Sequence, residues 1–192
     1  VVESLVKKAR NHLPSVMTEI ETLIDERRHY AEVTGDSYFL VTTACNIGMA
    51  IVKGADNPVG RGRLAVKLAR QALAWQSTNH YGWTLWRDAL AKQGAFEAAE
   101  LVGWEAIRRF PENVQKRTQL ALLLGDLPGR ESEAELLLRE TIERFPDNVV
   151  ARNQLAELLI ARDRIGEATG VVDDVFSRYL ENATNFDLRA RL

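Results

Sequence analysis

The phrase RRFPENV at residues 108–114 returns as ERFPDNV at 143–149. A chain that repeats its own punctuation at a fixed interval is built of like units, and such units stack into arrays rather than folding round one centre. Setting Phe110 on Phe145, 35 apart, brings Ala99 onto Ala134, Val102 onto Leu137 and Ile107 onto Ile142. It also brings Val114 onto Val149, Leu120 onto Leu155, Ala121 onto Ala156 and Leu124 onto Leu159. Going backwards, Trp86 lies 34 before Leu120 and Leu90 lies 34 before Leu124. Going forwards, Ala168 lies 34 after Ala134 and Val172 lies 34 after Leu138. The period is therefore 34, and the one extra residue falls in GDLPGRES, 125–132. Pro128 and Gly129 mark irregular backbone there, and an insertion in a turn breaks no helix hydrogen bond.

Each unit reads as two helices. NVVARNQLAELLIARDR places Val149, Leu155, Leu158 and Leu159 at helical spacing. The turn near Gly166 then leads into EATGVVDDVFSRYL. In the preceding unit, ESEAELLLRETIERF is a strong second helix, with acids in its first turn and Arg139 and Arg144 towards its end, as the helix dipole favours. The repeated phrase is the joint between hairpins. Pro146 cannot continue a helix and restricts the residue before it, so the helix stops near Phe145. Asn148 or Asp147 then caps the next helix by accepting from its free N–H groups.

The period, the small residues near the start of each second helix and the Pro-x-Asn joint resemble the tetratricopeptide repeat (TPR). The motif is carried by Trp83, Trp86, Leu90, Gly94, Phe96, Ala99, Ala106, Pro111 and Asn113. It recurs as Leu120, Ala121, Leu124, Ala134, Thr141 and Pro146, then as Leu155, Ala156, Leu159, Ile165, Ala168 and Val175. Two positions depart from it: Arg87 and Thr141 stand where the family usually has a small residue.

The resulting organisation has four parts. Residues 1–36 are a helical lead-in, broken near Pro14 and ended by Gly35. Residues 37–78 form a divergent hairpin, residues 79–181 form three TPR-like hairpins, and 182–192 are a tail. In the divergent hairpin, SYFLVTTACNIGMAIV (37–52) carries no charge and reads as a helix buried on several sides, with Ala44 and Gly48 admitting a close neighbour. KGADNPVGRG is expected to be a long loop, followed by helix 63–76, with Ala65 and Ala72 at the small positions.

The resemblance implies an all-α, right-handed solenoid of helical hairpins, whose first helices line a concave groove that holds a peptide or helix of another protein. Carried onto this chain, the groove positions are Tyr81, Thr84 and Asp88, then Gln115, Thr118, Gln119 and Leu122, then Asn153, Gln154 and Glu157. Asn and Gln suit a peptide main chain, because each amide both donates and accepts. Some members of the family clamp a terminal carboxylate; here Asp88 and Glu157 would repel one. Trp83 and Trp86 fall on core positions of the motif, while Trp104 is left open as a convex-side residue. Self-association through an unfilled end of the array is a further expectation.

Composition excludes several classes of work. Lys and Arg number 25 against 27 Asp and Glu, so the net charge of −2 offers no bulk attraction to nucleic acid or acidic membranes. Arg61, Arg63, Lys67 and Arg70, and Arg108, Arg109, Lys116 and Arg117, form local basic runs that helix dipoles explain. The single cysteine, Cys45, reads as a small buried apolar residue and requires no oxidising compartment. His12, His29 and His80 are scattered, and GRG at 60–62 reads as a loop, not a nucleotide fingerprint. No catalytic residue, metal ligand or cofactor is expected. The uncharged stretch is shorter than the ~20 residues a membrane span needs, and VVESLVKKARNHLPS lacks a signal-peptide core, so the expected location is cytoplasmic. The chain begins on Val rather than Met, as a fragment or processed product would. The expected function is a non-catalytic interaction module or scaffold. The alternatives are a regulatory or assembly region of a larger enzyme, or an RNA-binding helical array.

Overall fold

A computed structural model describes residues 2–146 and 148–178. Among the described residues there are ten α-helices, one short 3-10 turn and no strand. The chain divides into two compact units, Val1–Ala106 and Ile107–Leu192. The proposed tail, 182–192, lies outside the described residues, as does Asp147.

The first unit opens with α1 (Val2–Asn11), the 3-10 turn Leu13–Val16 and α2 (Met17–Thr34). Pro14 sits in the first turn of the 3-10 segment, where its missing N–H costs nothing. Gly35 ends α2 in the left-handed region, φ 75°, with its N–H donating to Ala31 O. Helix α3 (Tyr38–Lys53) follows, then α4 (Pro58–Trp75), α5 (His80–Lys92) and α6 (Phe96–Arg109), in which the boundary between the units falls. Helix α3 packs on α4 and α4 on α5, while α1 and α5 each also touch α3. A helix that touches both its hairpin partner and the next first helix is how stacked hairpins bury their apolar stripes. The uncharged stretch of α3 is buried as its sequence requires: Leu40, Ala44, Ile47 and Ile51 are all in the core. A Cβ at Gly48 would lie 2.4 Å from the Leu85 side chain, so that glycine sets how closely α5 approaches.

The expected long loop before α4 is corrected. Helix α4 starts at Pro58, and GRG at 60–62 is helical. Asn57 adopts the left-handed conformation, φ 41°, and its side chain accepts from the Gly60 N–H at 3.1 Å. With Pro58 at the first helical position, this forms a complete helix start five residues before 63 (63 − 58). Glycines lowered the apparent helix propensity, but tertiary packing overrides it. A Cβ at Gly62 would meet Ala89 O at 2.7 Å, so only glycine lets α5 lie this close to α4.

The second unit contains α7 (Val114–Gly125), α8 (Glu131–Arg144), α9 (Val149–Ile160) and α10 (Ile165–Arg178). Helix α7 pairs with α8, α9 with α10, and α9 also touches α7 and α8. Phe145 closes α8 through its N–H to Thr141 O at 2.9 Å, and Asn148 caps α9 by accepting from the Val150 and Ala151 N–H groups. Asn113 holds the corresponding place before α7, yet makes no such side-chain bond. The repeat-matched residues Leu120, Leu124, Leu155 and Leu159 share one core with Leu137 and Leu138. Thr141 fits where a smaller residue was expected because its buried hydroxyl donates to Leu137 O at 2.6 Å.

Candidate functional site

In the first unit, Asn79 caps α5 by accepting from the Gly82 N–H, which places Tyr81 in its first turn. Tyr81 is 62 % exposed, with its ring 4.0 Å from that of His80. Thr84 is buried, and its hydroxyl donates to His80 O at 3.3 Å. Asp88 is paired with Arg87, whose Nε lies 2.9 Å from Asp88 Oδ1. Arg87 is buried, so Asp88 acts as its counter-ion, and its charge is largely spent inside the chain. Trp83 is buried with its indole N–H donating to Ser77 O, and Trp86 packs against the core 5.7 Å from it. Trp104 is instead exposed and donates to Glu100 Oε1.

In the second unit the neighbouring helices α7 and α9 carry the other seven positions. Gln115, Leu122 and Glu157 are exposed, and Gln119, Asn153 and Gln154 are half-buried. Thr118 is only 1 % exposed and gives its hydroxyl to Gln115 O, so it serves packing rather than contact with a partner. Asn153 Oδ1 and Gln154 Oε1 are sheltered from water, and neither has a hydrogen-bond partner; Arg117 Nε is in the same condition. Sheltered polar atoms are normally bonded, so each of these is unusual; in the first unit Arg27 Nε and Gln71 Oε1 share the condition.

The structure also brings together charges that the sequence reading left apart. Glu135, whose side chain is 14 % exposed, receives Arg139 at 2.8 Å, Arg162 at 3.4 Å and Arg164 at 3.2 Å. Arg164 also bonds Glu167, and Arg162 lies 3.8 Å from Glu131. The network ties α8 to the α9–α10 turn and to α10. Hydrogen bonding from Arg164, more than from Arg139, holds the Glu135 carboxyl below the ordinary glutamate value of 4.5. A depressed folded-state pKa contributes stability above the unfolded value, and that contribution is lost as pH falls through the folded one. Glu135→Gln is therefore expected to cost roughly 2 kcal/mol at neutral pH. The difference from wild type should shrink below roughly pH 4, as urea unfolding across pH would report.

Two other polar features escaped sequence reasoning. Lys116 is buried beside the Phe110 ring, 6.0 Å from its centroid. Arg61, read as part of a basic run, is fully buried and bonds both the main-chain carbonyl and the carboxylate of Asp56. The Cys45 thiol is pushed up to about 11 by burial, which leaves it unreactive at neutral pH. Among the described residues, no group of three His, Cys, Asp or Glu side chains is placed to hold a metal ion. No helix among them is long and apolar enough to cross a membrane.

No protein-family profile matches the sequence, and no curated protein does. Solved structures do match. TTC0263, a thermophilic TPR protein of Thermus thermophilus, superposes with a TM-score of 0.62 over 100% of this chain and 96% of its own, at 16% identity. The fold is that of TPR proteins. MamA superposes with a TM-score of 0.58 over 93% of this chain and 95% of its own, at 13% identity. The TPR fold accounts for the paired helices and for the shared core positions of successive hairpins. At these identities it carries no functional residue from one protein to the other.

Proposed function

We propose that the chain is a non-catalytic protein–protein interaction module or scaffold, and that its first helices capture a peptide or helix of a partner. The observation that carries this reading is the pair of sheltered, unbonded amide oxygens on α9, Asn153 Oδ1 and Gln154 Oε1. A small rotation of either amide offers a donor and an acceptor to a partner's main chain. Exposed Gln115 and Leu122 on α7 and Glu157 on α9, with half-buried Gln119, extend the surface, and Leu122 adds an apolar anchor. In the first unit, Tyr81 offers an aromatic face, while Thr84 belongs to the packing and Asp88 to Arg87. Self-association through an end of the array is a related use of the same fold.

Asn153→Ala combined with Gln154→Ala tests this. The two oxygens have no bond to lose, so the helical signal and unfolding midpoint should barely change. Partner capture in a pull-down should fall by about tenfold. Unchanged capture would defeat the assignment. Retention of RNA instead, lost steeply as salt is raised, would favour a nucleic-acid-binding array.

A further inference from the structure

We propose that the groove between α1 and α3 is a second docking surface, fitted to a partner helix with an apolar stripe and an acidic end. The C-terminal ends of the two helices lie together, because Arg61 Nη1 donates to both Ala9 O, at 2.7 Å, and Ile51 O, at 3.3 Å. A cavity of about 410 Å³ lies along them. Val2, Val6, Met49 and Ala50 line its length together with one polar residue, Asn46, and Arg10 and Lys53 stand at the end where both helices finish. Glu3 lines the opposite end.

The charge at that end is unspent. Lys8 has Glu19 at 3.9 Å, and Arg61 has Asp56. Among the described residues, the Arg10 and Lys53 side chains make neither an ion pair nor a hydrogen bond. Helix dipoles explain many cations at helix ends. Here the explanation is weaker, since Arg61 already occupies a carbonyl in the last turn of each helix. Two unpaired cations beside an apolar floor, on a chain of net charge −2, form a local field that selects acidic groups.

The floor also selects the partner's conformation. An extended peptide laid on it would find a single side-chain amide, Asn46, for all its main-chain N–H and C=O groups, whereas a helix satisfies its own. From Val2 to Arg10 the groove runs about 12 Å, or roughly two helical turns. A partner helix would therefore set apolar residues at i and i+4 over the floor and an acid about one turn further, against Arg10 and Lys53. The C-terminal end of that helix, negative by its own dipole, belongs at the same place.

The test uses the full chain and fluorescent helix-forming peptides of about 12 residues. One carries leucines at i and i+4 with two glutamates in its last turn, and its twin carries lysines in place of the glutamates. Anisotropy should show saturable binding of the glutamate peptide and a preference of about tenfold or more over its twin. Arg10→Glu with Lys53→Glu, both exposed and each costing the fold no more than about 1 kcal/mol through its helix dipole, should reverse that preference. Asn153→Ala with Gln154→Ala should leave it unchanged, which separates this surface from the one on α7 and α9. No saturation below about 1 mM, equal binding of the twins, or no effect of the charge reversal would each overturn the proposal. Displacement of the peptide by single-stranded RNA or anionic vesicles at lower concentration would also overturn it, in favour of a phosphate-bearing partner.

Discussion

Arg61→Ala is expected to cost the first unit about 3–5 kcal/mol, enough to unfold it at moderate temperature. The guanidinium is wholly buried and spends its donors on three elements: Ala9 O in α1, Ile51 O in α3, and the carbonyl and carboxylate of Asp56 in the turn before α4. Truncation strands Ala9 O in the interior, while Ile51 O keeps the Gly54 N–H at 3.2 Å, and it leaves a void the size of an arginine side chain. Asp56 loses least, because it is half exposed and water can take over its carboxylate. Arg61→Lys should recover little, since an ammonium lacks the planar fork that serves these four acceptors at once. Gly54 belongs to the same arrangement: a Cβ there would fall 2.2 Å from the Arg61 guanidinium carbon and 2.7 Å from Arg10 O. Circular dichroism with urea titration would check the prediction, and a loss below about 1 kcal/mol would show that the pin is dispensable.

The second large effect is expected at Gly62. Alanine normally stabilises a helix interior by about 1 kcal/mol relative to glycine. At Gly62 the sign should invert, with a net loss of about 1–3 kcal/mol. The added carbon would meet Ala89 O at 2.7 Å and Gln93 N at 2.9 Å, and main-chain atoms cannot step aside without moving α5. Gly170→Ala on α10 is the control. It lies within a helix, and a Cβ there would meet nothing within 4 Å, so a gain of about 0.5–1 kcal/mol is expected. Similar changes at the two sites would mean that helix propensity, and not the α4–α5 approach, governs Gly62.

Where the sequence was legible, the signals were local. Pro14, Gly35, the Phe-Pro joint and Asn148 act on the backbone within a few residues, and each does in the structure what its chemistry requires. The small residues Ala99, Ala134 and Ala168 all lie in the core at full burial, as their regular recurrence suggested. Asn79 was available as a cap beside Asn148, lying 34 before Asn113, since it opens α5 by accepting from the Gly82 N–H. The start of α4 was misread because glycine reports low propensity whether it sits in a loop or under a neighbouring helix. Only the neighbour, α5, distinguishes the two.

The candidate site was less legible for a related reason. Spacing places Thr84 and Thr118 on the same helical lines as Tyr81 and Gln115, but it does not say how deeply each line is packed, and both threonines are buried. Asp88 looked like a free acid until Arg87 was seen buried against it. The groove of Val2, Val6 and Met49 gave no signal at all, because Val2 and Val6 lie in residues 1–36, which carry no clear match to the repeat, and Met49 lies in the divergent hairpin.

By itself, then, the amino-acid order determined the helices, their pairing into hairpins and the period at which they stack, since hydrogen bonds and apolar stripes of short range suffice for these. Only the tertiary structure decided which charges are sealed in and which are left over. The contact of Arg61 with Ala9 spans 52 residues, and a salt bridge or an unpaired cation exists only once distant helices have been brought side by side. Electrostatic energy depends on that proximity and on the water it excludes, neither of which is written in spacing along the chain.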